Sequence, residues 1–256
     1  KQLRSWFFMA FRSLDLEGRV LDRDLKKHLP EAQHCYLAEY EEKIAGVLIP
    51  NAEILKVIDD AARVIAEEYL APPDVIDTIA SVYVLDGARE TFGVLINSLF
   101  KYGLRSIEGN TKSSRYGDET VSTEAPIIFS DVRNVRSGDP VLIVEDIFDE
   151  GVTLESINAR IKLFKPNSIK ILSLLFKPQK YIGDIRIHYP LFKIDDHWIV
   201  GYGMDLSGKD KKGRSRPLLR DLPFVAVANP DYLLKIGKID QERADHLKPL
   251  IKYSDA

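Results

Sequence analysis

Apolar residues in this chain fall into two kinds of run. Continuous runs, rich in β-branched side chains, occupy Val141–Val144 and Ile171–Phe176, and predict strands buried on both faces, as in a parallel sheet. Spaced runs recur every three or four residues. Ile54, Ile58, Ala61, Ile65 and Tyr69 follow Val47-Leu-Ile-Pro50 and stop before Pro72-Pro73, which predicts one long helix. Shorter helices are expected around Phe92, Leu95, Ile96 and Leu99, and around Leu154, Ile157, Ile161 and Phe164. Strands are expected at Ser81–Leu85, Ile169–Phe176, near Trp198–Gly201 and near Phe224–Val227. This alternation predicts an α/β fold: a mainly parallel, twisted sheet with helices on both faces. Such sheets bind ligands at the carboxyl ends of their strands.

Residues 1–46 read as an appended helical extension. Its eight basic residues balance eight acidic ones, and it shows no aromatic-basic pattern for nucleic acid. Residues 47–229 carry the strand–helix alternation. The tail, 230–256, contains Tyr232, Leu233, Ile236 and Ile239, and is expected to pack on the core or on a partner subunit.

Composition narrows the class without naming it. With 256 residues and 45% hydrophobic content, one sizeable core is expected. A net charge of −3 and a pI near 6.0 provide no basic field for nucleic acid or anionic membrane. The single Cys35 fits a reducing compartment, here the cytoplasm. Trp6–Phe11 is the most apolar stretch near the start, but Arg4 and Arg12 flank it, and it is far short of the roughly 18 residues of a span. A helix face packing on the body of the protein is the expectation. The sequence opens on Lys1 rather than Met, so residues are expected upstream.

The chemistry concentrates in Val141-Leu-Ile-Val-Glu-Asp-Ile-Phe-Asp-Glu-Gly-Val-Thr-Leu154. A buried strand runs into Glu145, Asp146 and Asp149, then Gly151, Thr153 and a helix. A strand, a Gly-containing loop and a helix start make an anion cradle, because unpaired N–H groups and the helix dipole both face the loop. Carboxylates beside that cradle would repel an anion unless they hold a cation or hydroxyls. Magnesium and a ribose diol answer both needs, so the segment asks for a phosphorylated sugar.

This segment resembles the phosphoribosyl pyrophosphate (PRPP) motif of the type I phosphoribosyltransferases, and is most similar to the hypoxanthine-guanine branch. The resemblance implies that fold, with a small hood. It implies that Glu145 and Asp146 hold the ribose hydroxyls, directly or through Mg2+, and that Asp149 is the catalytic acid or base. Residues Asp149, Glu150, Gly151, Val152 and Thr153 would cradle the 5′-phosphate. Many relatives have Thr where Glu150 stands, so its N–H rather than its side chain is expected to serve.

Further matches follow in the family's order. Asp86-Gly87, after strand Ser81–Leu85, resembles the pyrophosphate loop, where the family usually has Leu-Lys-Gly. Here Asp86 replaces the lysine, and Arg89 could supply part of the missing charge. Lys112–Thr123 is polar and strandless, and resembles the mobile lid, with Ser114 and Tyr116 closing over pyrophosphate. Lys177 matches the lysine that donates to the purine 6-oxo group. In His197-Trp-Ile-Val-Gly-Tyr-Gly-Met-Asp205, the resemblance places Trp198 over the purine ring, Ile199 at the base edge and Asp205 on a metal. Arg220, after the solvated charge run Lys209–Arg216, matches an arginine that contacts pyrophosphate.

Together these imply a magnesium-dependent purine-salvage transferase. It would take PRPP and a 6-oxopurine, yield IMP or GMP and pyrophosphate, and assemble as a homodimer or homotetramer. Two alternatives stay open at this point: a non-catalytic PRPP-binding regulator, at which Asp86 hints, and a phosphoribosyltransferase for another base such as xanthine.

Overall fold

The computed structural model describes residues 11–114, 127–132, 134–181, 183–206, 208–209 and 215–253. Its strands are β1 Leu14–Asp15, β2 Val20–Leu21, β3 Ile44–Ile49, β4 Thr78–Leu85, β5 Arg105–Ser114, β6 Ile127–Asp131, β7 Pro140–Phe148, β8 Ser168–Phe176, β9 Tyr189–Lys193, β10 Ile199–Val200, β11 Gly208–Lys209, β12 Ser215–Arg216, β13 Val225–Ala228 and β14 Lys252–Tyr253. Its α-helices are α1 Leu37–Lys43, α2 Asn51–Tyr69, α3 Arg89–Lys101, α4 Val152–Lys162, α5 Pro230–Lys235 and α6 Gln241–Leu247.

The main sheet runs β1-β9-β8-β7-β4-β5-β6. Every neighbouring pair in it is parallel except β5–β6. From β4 the chain steps outward to β5, whereas from β7 it steps the other way to β8 and β9. The order therefore reverses between β4 and β7, and a crevice at that reversal is where open α/β sheets bind ligands. Asp86-Gly87 follow β4, and Glu145 to Thr153 close β7 and open α4. The fold puts both sequence motifs at one switch point.

The expected core is present. Val141, Leu142, Ile143 and Val144 are fully buried at the centre of the sheet. Helix α2 presents Ile54, Ile58 and Ile65 at 0% exposure, with Ala61 and Ala62 between them. Each such isoleucine contributes about 1.5–3 kcal/mol by burial.

A second sheet, β10-β13-β3, forms the hood. Its core gathers Val47, Val200, Phe224 and Ala226 with Leu25 and Leu29 from one end of the chain and Leu233 and Leu247 from the other. The tail's apolar residues Tyr232, Leu233, Ile236 and Ile239 thus pack on this same chain. Lys252–Tyr253 also pairs in parallel with Val20–Leu21.

Two local expectations need correction, and strands are added at two further places. The extension is helical through Leu25–Lys43, with 3-10 turns at Leu25–His28 and Glu31–Tyr36 before α1, but Leu14–Asp15 and Val20–Leu21 are strands, too short to leave a periodic trace. Val47-Leu-Ile forms part of strand β3, its continuous apolar run buried, and the expected helix follows from Asn51. The polar stretch read as strandless from Lys112 instead begins inside β5, held to β4 by an eight-residue register. Finally, the charge run at Lys209–Arg216 is bounded by paired strands β11 and β12.

Candidate active site

A cleft of about 530 Å³ opens at the switch point. It collects Asp86 and Gly87 from the β4 end, Asp146 and Asp149 from the β7 end, Lys177 from the β8 end, and Trp198, Ile199, Asp205 and Arg220 from the hood side. A second, adjoining hollow of about 380 Å³ is lined by the continuous stretch Glu145 to Leu154. Asp146, Ile147 and Asp149 line both. Residues spread over 135 positions of sequence by their numbers, Asp86 to Arg220, meet around one space.

The hollow has the form the sequence implies for an anion. Gly151 caps α4 in the left-handed region, φ 80°, and a Cβ there would come 2.5 Å from the Tyr181 ring. Val152 and Thr153 follow as the first helical residues, so their N–H groups precede any intrahelical partner. Glu150 is exposed.

Two glycines let the walls close. A Cβ on Gly87 would overlap the Asp146 carboxylate at 1.6 Å, and one on Gly203, φ 96°, would lie 2.1 Å from the Gly87 carbonyl. The Asp86-Gly87 loop is therefore sandwiched, with the Asp146 carboxylate on one side and the Gly203 backbone on the other. Its first peptide, Leu85–Asp86, is cis.

Charge is divided between two groups. At the loop end, Arg220 lies between two carboxylates: Nη1 is 3.4 Å from Asp86, and Nη2 is hydrogen-bonded to Asp205. Burial opposes the Arg220 charge, but Asp205 and Asp86 outweigh it and raise its pKa. At the β8 end, Lys177 is buried and sits 3.3 Å from both Asp149 and Asp196. Lys180 reaches Asp149 at 2.8 Å and Asp196 at 3.6 Å. Arg243 holds the other Asp196 oxygen at 2.7 Å. Burial alone would raise the Asp196 pKa; Arg243, Lys177 and Lys180 reverse that and hold it low. For Lys180 the balance runs the same way: burial lowers, Asp149 and Asp196 more than restore, and the net is upward.

Glu145 stands apart. It is buried, its Oε2 meets no partner among the described residues, and burial together with the neighbouring Asp146 charge pushes its pKa well up. Asp146 Oδ1 accepts from the Ile147 N–H at 2.9 Å. Trp198 is half-buried between cleft and hood core, and Ile199 is buried in β10.

Not every expected residue joins the cleft. Arg89 opens α3 and does not line it. Ser114 ends β5, and Tyr116, its expected companion in the lid, lies outside the described residues. Conversely, the sequence reading did not single out Lys180, Asp196, His197 or Arg243 as site residues. His197 and Lys180 sit beside chosen positions and could have been found by inspecting neighbours; Arg243 is 47 residues from its partner Asp196, and nothing local announces it.

Crevice position, a hollow at a helix start and paired acidic clusters suit a transferase of phosphorylated sugars, and comparison with known proteins places the chain in that class. The family model described as "Phosphoribosyl transferase domain" matches residues 50–207. The chain is 32% identical over 189 residues to the hypoxanthine-guanine phosphoribosyltransferase of Bacillus subtilis, covering 73% of this chain and 94% of that one. A Staphylococcus aureus protein of the same name is 30% identical over 185 residues, covering 72% and 94%. Among solved structures, a Staphylococcus aureus hypoxanthine phosphoribosyltransferase superposes with TM-score 0.64 at 27% identity, over 76% of this chain and 96% of that chain. A Trypanosoma cruzi hypoxanthine phosphoribosyltransferase reaches TM-score 0.66 at 24% identity, over 77% and 98%, a likeness of fold. The chain belongs to the phosphoribosyltransferase family, in its hypoxanthine-guanine branch. It is an enzyme of purine salvage with the type I fold.

Proposed function

We propose that this enzyme joins hypoxanthine or guanine to PRPP, giving IMP or GMP and pyrophosphate. The supporting observation is that Asp149, Lys177 and Trp198 line the same cleft as Asp86-Gly87, Asp205 and Arg220. A base resting on Trp198 therefore faces the place where pyrophosphate would leave.

Lys177 donates to the purine 6-oxo group in this reading, a contact that adenine's amino group cannot accept. Discrimination built on such a bond reaches about 10⁴-fold. Asp149 takes or returns the N7 proton as the base nitrogen attacks the anomeric carbon. The hollow at 149–153 holds the 5′-phosphate, and Glu145 and Asp146 face the ribose hydroxyls. Pyrophosphate leaves toward Gly87 and Arg220, where fixed charge meets developing charge.

The donor set suits magnesium, a hard cation that takes oxygen ligands and keeps several waters. Asp146 and Asp205, both lining the cleft, would hold it on the pyrophosphate side, with Glu145 beside Asp146. When bound it would neutralise pyrophosphate charge. A homodimer or homotetramer in the cytoplasm completes the proposal; light scattering checks the assembly, and a monomer would remove that part.

The test is nucleotide formation from PRPP and magnesium with hypoxanthine, guanine, xanthine, adenine and orotate in parallel, beside Asp149→Asn. IMP or GMP should form, with the variant about 10²–10⁴-fold slower. Preferential turnover of adenine or orotate would overturn the assignment of Lys177.

A further inference from the structure

Helix α6 lies beyond residues 50–207, where the family model matches, yet it sends Arg243 into the lining of the cleft. Arg243 does not touch Lys177 directly in any contact described. It reaches Asp196, donating from Nη2 to Oδ2 at 2.7 Å and to the backbone carbonyl at 3.5 Å. Asp196 turns its other oxygen, Oδ1, to Lys177 at 3.3 Å and to Lys180 at 3.6 Å. Its side chain is only 13% exposed and that of Lys177 only 6%, so neither ion can readily exchange its partner for water.

The consequence is geometric. A carboxylate shared by a guanidinium and two ammonium groups is fixed in rotation only while each oxygen has a partner. Fixed, it offers Oδ1 to Lys177 as one of two equivalent holds, the other being Asp149 at the same 3.3 Å. Released from Arg243, Oδ2 of Asp196 keeps only the more distant His246 Nε2, at 4.0 Å, so Asp196 can turn, and Lys177 then leans more on Asp149. That would displace the donor meant for the base and burden the acid–base residue with a cation.

We infer that Arg243 is a positioning residue for base recognition, acting through Asp196 on Lys177, and that the C-terminal helix is thereby a working part of the active site. The inference rests on the reading of Lys177 as the base-facing donor.

Steady-state kinetics on the full chain with Arg243→Met and Arg243→Lys provide the test, with ¹⁵N-lysine spectra of the same proteins. Arg243→Met should raise KM for the purine about tenfold, leave KM for PRPP within twofold, and move the Lys177 side-chain resonance. Arg243→Lys should recover at least half of the loss, because a cation again faces Asp196. Equal changes in both KM values would indicate a merely structural helix and overturn the inference, as would unchanged kinetics with an unmoved resonance. The two readings fail separately. If the wild type converts no base, the proposed function falls, while the Lys177 resonance still reports whether Arg243 positions it; an unmoved resonance then overturns the relay.

Discussion

Arg220 and Asp86 face each other across the mouth of the cleft, Nη1 to Oδ2, at 3.4 Å. The resemblance puts a lysine where Asp86 stands, so this chain carries an anion instead of a cation in its proposed pyrophosphate loop. The arginine that should meet pyrophosphate is partly engaged by that anion. Their side chains are 32% and 44% exposed, and a pair in that setting is worth about 0–1 kcal/mol. Asp86→Asn should therefore lower KM for PRPP by up to about fivefold. Initial rates at varied PRPP decide it, and a rise in KM would mean that Asp86 supports binding in some other way.

In the proposed function Trp198, which lines the cleft, stacks on the base, so its removal should be felt mainly there. Trp198→Ala should cost about 1–3 kcal/mol of purine binding, or roughly 5–150-fold in its KM. Trp198→Phe should retain most of the affinity, because it keeps both a ring and the hood contact. Product-analogue calorimetry separates the two variants; equal losses would point to hood damage instead.

The acid limb of stability should involve His197. It is 2% exposed, and burial lowers its pKa from the ordinary 6.5; Lys177 adds to the lowering, while Asp195 and Asp196 partly oppose it. The folded imidazole thus stays neutral below the pH at which the unfolded one takes a proton. As pH falls through 6.5 toward the folded value, the unfolded chain binds the extra proton and stability drops; above 6.5 the contribution is absent. His188 is lowered as well, first by burial, so each of these histidines should contribute a loss of Tm between pH 7.5 and 5.5. His197→Asn should lose less, and melting curves at the two pH values provide the comparison.

Much of this was legible beforehand, for identifiable reasons. Helix α2 and strand β7 announce themselves because whole faces are apolar, and the Glu145–Thr153 motif is local in sequence. Strand β5 escaped because its ladder with β4, not its side chains, holds it: in Arg105-Ser-Ile-Glu-Gly-Asn the one large apolar residue, Ile107, is 41% exposed. Strand β9 carries Pro190 inside it, a residue that ordinarily argues against a strand. The β8-end charge group was invisible for a different reason. Salt bridges between Asp196 and Arg243 need two segments brought together in three dimensions, and no periodicity encodes that. The resemblance supplied Lys177 but not what holds it.

The tail should be integral rather than appended. Leu233 in α5 is 0% exposed within the hood core, so Leu233→Ala should cost about 2–5 kcal/mol. For a chain of this size Tm should fall by roughly 4–20 °C. Thermal unfolding measures it, and a shift below 2 °C would mean the tail is loosely held.

The parallel pairing of Lys252–Tyr253 with Val20–Leu21 has a consequence in time. These strands are separated by more than two hundred residues, so their meeting closes one of the longest loops the chain can form, and such contacts come late in folding. Helix α6, with Arg243, lies just before that clasp. Under the proposed function, base recognition should accordingly mature after the sheet that carries the proposed PRPP site, so a nascent or nicked chain would hold the sugar phosphate before it could read the purine.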